Sequence, residues 1–289
     1  AISIIFFLSC KNEDCAGIAK VLFKENEANE KAYKEGNVDL AIQLASKVIE
    51  SNPNNFIAYS NRAAFQYKKQ FAINELSDEM KDSIYNDLYT AIDLCSEFEK
   101  AYENIIQISY ELDEFKLIEK YGKLHHQIFK PNSQVLTKLG NALFRLGEFE
   151  EAIKYFDIAT TTTPTDTSTY WMRGRTYREL GKIEFALKDL NRSIDLDSTS
   201  ALAYHERAIT FVKLKELDKA QDDYFKAINI DSTRTETYFS MGTLCMKASD
   251  SVLACLYYRK ALKTLQTNDK IVPNIDEELI ISTIKKYCD

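Results

Sequence analysis

The sequence predicts an all-α chain of stacked helical hairpins, on three observations. Ala, Leu, Glu and Lys, which lose little on entering a helix, are plentiful. Eight glycines and four prolines in 289 residues are too few for a chain with many β-turns. The third observation is a period. With Ser133 as place one, further units begin 34 residues apart at Thr167, Ala201 and Thr235, in unbroken register.

Within each unit the residue sizes recur. Place 8 is Gly140, Gly174, Ala208 and Gly242, and place 20 is Ala152, Ala186, Ala220 and Ala254. Place 24 is large: Phe156, Leu190, Tyr224 and Tyr258. Small residues at 8 and 20 let two helix backbones approach, and large ones at 24 fill the space between successive hairpins. This period and size code resemble the tetratricopeptide repeat, whose pattern of aromatic, Leu, Gly, Tyr, Ala, Phe and Pro is matched best by "LGNALFRLGEFEEAIKYFDIATTTTP" at 139–164. The resemblance implies a helix-turn-helix solenoid of about seven repeats, a right-handed superhelix whose first helices line a concave groove.

The units follow in order. The first, 22–55, carries Gly36, Ala41 and Pro53 at places 15, 20 and 32. The second, 56–98, has two clear helical stretches nine residues further apart than usual, so an insertion is expected near 70–82. In the third, 99–132, Ile118 and Gly122 invert the small and large order of places 20 and 24, which marks a degenerate hairpin. Units 133–166, 167–200, 201–234 and 235–268 keep the code. Residues 269–289 have apolar residues at helical spacing and no partner unit, so they should form a capping helix.

The N-terminus is a separate matter. Residues 1–9, "AISIIFFLS", are apolar but too short to span a bilayer, and they precede Cys10. They resemble the end of a bacterial lipoprotein signal peptide, with Phe7 where that family usually has Leu. The resemblance implies that Cys10 carries lipid and that residues 10–21 tether the repeats to a membrane, placing the chain in the cell envelope and most simply on the outer membrane facing the periplasm. The alternatives are an apolar segment packed on the first repeat and a cytoplasmic adaptor. The remaining cysteines, Cys15, Cys95, Cys245, Cys255 and Cys288, form no metal or redox motif and are expected mostly as buried apolar fillers, with a Cys245–Cys255 bridge left open.

Three units carry Arg at place 7, Arg62, Arg173 and Arg207, and the same three carry Asp at place 23, Asp87, Asp189 and Asp223. The other four have neither. Residues that vary together between internal copies are expected to touch, so an Arg–Asp contact is predicted across each of these hairpins.

A net charge of −7 without any Lys/Arg block argues against nucleic acid as a partner. His125, His126 and His205 lack the spacing of a catalytic triad or metal motif, and no phosphate loop occurs, so neither an enzyme nor a cofactor is expected. The resemblance instead implies a protein or peptide partner held in the groove. Groove-facing places hold Lys138, Asn141, Phe144, Arg145, Trp171, Met172, Arg175, Arg178, His205, Ile209 and Phe239. Trp171 lies one place beyond the packing position filled by Tyr170, and it could equally fold onto a neighbouring helix. "YSNRAA" at 59–64 is similar to repeats that clamp the acidic tail of chaperones, and Asn61 and Lys100 match that clamp. Asn26, Glu30 and Asn104 do not, and Glu30 would repel a carboxylate. The expectation is a non-enzymatic, lipid-tethered interaction scaffold; the alternatives are a cytoplasmic adaptor and a ligand-binding, sugar-binding or enzymatic module on the same frame.

Overall fold

The computed structural model describes residues 15–73, 76–267 and 275–288. Cys10, the proposed lipid site, lies outside them. Fifteen α-helices and no strand occur among the described residues. The chain divides into two compact units, one up to Leu146 and one from Gly147.

The first unit holds α1 (Cys15–Lys34), α2 (Val38–Ser51), α3 (Phe56–Ile73), α4 (Asp78–Leu94), α5 (Glu99–Glu111), α6 (Phe115–Ile128) and α7 (Ser133–Arg145). The second holds α8 (Phe149–Thr162), α9 (Thr167–Glu179), α10 (Ile183–Leu196), α11 (Ala201–Lys213), α12 (Leu217–Ile230), α13 (Thr235–Lys247), α14 (Ser251–Thr267) and α15 (Glu277–Tyr287). Within each unit consecutive helices pack on one another as hairpins, and the first helices of successive hairpins also lie side by side. Each unit is an all-α stack of helical hairpins, and the second is closed by α15 packed on α14.

The size code has a steric cause. A Cβ on Gly174 would stand 2.9 Å from Leu190 Cγ, and one on Gly242 would stand 2.7 Å from the Tyr258 ring. Place 8 therefore has to be very small wherever place 24 is bulky. Ala186, Ala220 and Ala254 at place 20 are fully buried. The turns repeat as well: place 15 takes a left-handed backbone in Gly36, Asp113, Gly147, Gly181, Lys215 and Ser249, with φ between 55° and 82°. Glu114 N–H donates to the Ser109 carbonyl, Lys182 to Tyr177, Glu216 to Phe211 and Asp250 to Cys245. These are the long backbone bonds that stop a helix once its last residue turns left-handed. In the second hairpin the extra residues lengthen α3 to 18 residues, against 13 in α5, α7, α9, α11 and α13.

The cysteines differ from expectation. Cys15 bonds Cys95, tying α1 to the end of α4, and Cys255 bonds Cys288, tying α14 to the cap. The Cys245–Cys255 bridge left open by the sequence does not form. Cys245 is buried inside the α13–α14 hairpin, whereas Cys255 faces α15, where its Sγ lies 3.6 Å from the Tyr287 carbonyl. Residues 15–21, read as part of a tether, are the first turns of α1. In the chain-entropy account the two crosslinks, spanning 80 and 33 residues, each restrict the unfolded chain by about 3–5 kcal/mol.

The place 7 arginines do more than the sequence suggested. Arg62 Nε and Nη2 each donate at 2.7 Å to Asp87, and Arg173 and Arg207 make the same two-pronged contact with Asp189 and Asp223 at 2.6–2.9 Å. The remaining guanidinium nitrogen reaches back to the preceding hairpin, at Ser46, Asp157 and Asn191 respectively. Each arginine thus joins three helices. Burial pulls the Arg173 pKa down, but its bond to Asp189 more than offsets this and the net direction is upward. Where place 7 is Ile105, Leu139 or Met241 the side chain is fully buried and apolar. Arg207→Met alone should cost about 3–5 kcal/mol, because Asp223 is left buried and unpaired. Arg207→Met/Asp223→Tyr, which copies the seventh hairpin, should recover at least half of that loss in urea unfolding.

Candidate functional site

Places 5, 6, 9, 12 and 13 of the first helices are not consumed by the hairpin code, and they form one face of each unit. In the first unit, α5 and α7 bound a cavity of about 140 Å³ lined by Lys100, Glu103, Asn104, Gln107, Gln134 and Lys138. Burial lowers the Lys138 pKa, against the pull of Glu103 and Glu111, and its ammonium lies 6.0 Å from the Tyr110 ring centroid. Asn141 Nδ2 donates to Tyr110 Oη at 3.4 Å. Arg145 is exposed with its guanidinium 4.6 Å from the Phe115 ring, and Phe144 is half-buried. Lys138, Asn141, Phe144 and Arg145 therefore belong to the α7 edge of this unit.

Further up the same face, the chaperone-clamp positions serve the protein's own polar seam. Buried Asn26 donates to the Leu22 carbonyl at 2.8 Å and to Asn55 at 3.1 Å, and Asn29 donates to Asn26 at 2.7 Å. Asn61 in turn donates to Asn29 at 3.1 Å, and Asn104 to Ser60 at 3.0 Å. Amide donors committed to internal acceptors across α1, α3 and α5 are poorly placed to donate to a ligand carboxylate.

In the second unit the expected residues separate into open and closed sets. Trp171 is half-buried and packs against the buried cluster of Ile194, Ala203, Tyr204 and Ala227, which is the folded-down alternative. Met172, Arg175, Ile209 and Phe239 are also half-buried. Arg178 is 4% exposed: it donates to the Glu206 carboxylate across the α9–α11 junction and to Glu179 at 3.0–3.1 Å. Burial opposes the charge on both partners, but their attraction wins, holding the Glu206 carboxyl below and the Arg178 guanidinium above their ordinary values. Arg175 Nε lies 3.6 Å from Glu206, and Lys213 Nζ 3.7 Å from Glu179. His205 is 6% exposed, with Nδ1 3.1 Å from the Thr237 hydroxyl. Arg178 and His205 are thus internal braces, whereas Arg175, Met172, Ile209 and Phe239 keep accessible surface.

Two of these hairpins match a known family. Residues 133–166 and 167–200 each match a family model described as tetratricopeptide repeat. No curated protein matches the chain. Among solved structures, a tetratricopeptide repeat protein from Parabacteroides merdae superposes with a TM-score of 0.68 at 15% identity, covering 93% of this chain and all of that one. TTC0263, a thermophilic protein of Thermus thermophilus, gives 0.56 at 18% identity, covering 65% and 99%. YrrB, described as having an unusual peptide-binding site, gives 0.54 at 21% identity, covering 71% and 97%. Identities this low establish the shared fold.

Sequence reasoning missed Glu206, Glu179 and Lys213 as partners of Arg178, and Tyr110 as the platform for Lys138 and Asn141. A signal existed for the first: Glu206 stands at place 6 of the unit after the one carrying Arg178 at place 12, and adjacent first helices bring those places together.

Burial lowers the His205 pKa to about 4, aided by Arg234 and Arg178 and opposed by Glu206 and Glu236. An unfolded histidine titrates near 6.5. Above that pH both states are neutral. As pH falls from 6.5 toward 4, the unfolded chain takes up a proton that the folded chain refuses, so stability falls. The loss should reach roughly 2–3 kcal/mol by pH 4.5. His205→Gln, which keeps a partner for Thr237, should abolish that increment when urea midpoints at pH 7 and pH 4.5 are compared with wild type.

Proposed function

We propose that the chain is a non-enzymatic scaffold that holds a peptide or protein partner on the first-helix faces of its units. It acts as a lipid-anchored protein of the bacterial envelope, with Cys10 as the acylated residue. The observation that carries the binding reading is the mixture of cationic and apolar side chains that keep accessible surface on the first helices, Arg175 while it contacts Glu206 and Asn141 while it donates to Tyr110. Lys138, Asn141 and Arg145 in the first unit, and Met172, Arg175, Ile209 and Phe239 in the second, combine cations with apolar surface. Arginine beside apolar anchors is the usual composition of a protein-binding patch. An extended segment bearing acidic and apolar side chains is the chemistry such a face fits, and the peptide-binding site named for YrrB is consistent with it. The carboxylates with displaced pKa among the described residues, Glu119, Asp197 and Glu206, are all shifted downward, the opposite of what a general acid needs.

The envelope reading draws support from the cysteines. Four of the six form two crosslinks, and disulfides persist in oxidising compartments while being rare in the reducing cytosol. Labelling cells that express the protein with a palmitate analogue should mark it, and Cys10→Ala should lose the label; an unlabelled wild type contradicts the anchor. Affinity capture with the wild type should recover a partner that is reduced at least about tenfold by Lys138→Glu/Arg145→Glu or by Arg175→Glu/Phe239→Ala, the size expected when interface anchors are removed. An unchanged partner set contradicts the choice of face.

A further inference from the structure

The third hairpin breaks the size code, and three potential metal ligands gather where it does so. Place 24, large in the later hairpins, is Gly122, and the displaced volume reappears one turn on as His125 at place 27. In five of the other six units the corresponding residue is small and fully buried, Ala91, Ala159, Ser193, Ala227 and Ala261, and in the first it is the half-buried Val48. Packing at this place asks for bulk at most, and an apolar side chain would supply it. It does not ask for an imidazole.

That imidazole is 1% exposed, and its Nε2 is aimed at the facing helix, 3.0 Å from Glu99 Oε1. Glu99 and Glu103 stand one turn apart on α5, so both carboxylates project to the same side. One ligand atom from each of Glu99, Glu103 and His125 lies within 4.8 Å of the others. Places 1 and 5 carry no other acidic residue in any of the seven units, so all three departures from the repeat fall in one hairpin.

We propose that Glu99, Glu103 and His125 form a binding site for a divalent transition ion of the zinc type. One nitrogen and two carboxylate oxygens suit Zn²⁺ better than Mg²⁺ or Ca²⁺, which favour all-oxygen shells. Three protein ligands leave a fourth position for water. Zinc bonds of about 2.0–2.2 Å require the donors to draw in by roughly 1 Å. Glu99 and Glu103, at the open side, supply that movement while buried His125 stays fixed. Two carboxylates balance the ion's charge. Glu103 would give up its contacts with Lys100 at 3.1 Å and Asn132 at 3.2 Å, which frees Lys100 at the edge of the α5–α7 cavity. The site shares Glu103 with the α5–α7 cavity but does not depend on the partner-binding reading.

The test uses the full chain with both disulfides formed, stripped with chelator and titrated calorimetrically with ZnCl₂ alone, and with MgCl₂ in a parallel arm. One Zn²⁺ per chain should bind, and Mg²⁺ should not. Glu99→Gln and Glu103→Gln, which keep hydrogen-bonding shape and leave helical circular dichroism unchanged, should each weaken binding by about 10–100-fold. His125→Gln should do the same. No saturable zinc binding overturns the proposal. So does zinc binding that survives both glutamine substitutions undiminished, or that is lost only on Cys245→Ser.

Discussion

A methyl group added at Gly242 would sit 2.7 Å from the Tyr258 ring and 3.2 Å from the Ala254 carbonyl. That close helix contact is the constraint on which the rest of the structure depends. It fixes a small residue on each helix at the crossing, a large one beyond it, and a left-handed residue in the turn that brings the second helix back. Because the hairpins that keep the size code use the same places for this contact, the same places are left over in them, and they line up along the first helices of each unit. The repeat therefore creates a continuous face in each unit as a by-product of packing.

The leftover places are not uniformly available. On α9 and α11 the Arg178–Glu206–Glu179 cluster uses charges for bracing, and a buried pair of this kind holds two helices in a fixed relation more than it adds stability. On α1, α3 and α5 a run of asparagines does similar work with neutral groups. What stays open is the rim of each face. The arginine ties at place 7 belong to the same economy of structure, since each links both helices of its own hairpin to the one before.

The fold was legible in the sequence because a period of 34 turns one chain into several aligned copies. The sizes at 8, 20 and 24 then identify the crossing, and the joint variation of Arg207 with Asp223, found 2.6 Å apart, identifies a contact. The candidate site was less legible for a physical reason. Which face a residue occupies follows from helical phase, but whether it is spent depends on what the adjacent hairpin presents. Arg178 and Arg175 are three residues apart on one helix, and Glu206 closes one while leaving the other partly open. Trp171 looked superfluous to its own hairpin, yet Ile194 and Tyr204 give it a place to fold. The disulfides were illegible because Cys15–Cys95 spans 80 residues and Cys255–Cys288 joins the last hairpin to a cap outside the period.

The central claim is that function resides on the first-helix face and that the second-helix surface, despite exposed Phe185 and Val252, is packing surface left bare. Site-specific photo-crosslinking tests it most directly, with a benzophenone side chain placed singly at Lys138, Arg175, Phe185 and Val252 in the full chain. Crosslinks to a common partner are expected from positions 138 and 175, and none above background from 185 and 252. Crosslinks confined to 185 and 252 would contradict it.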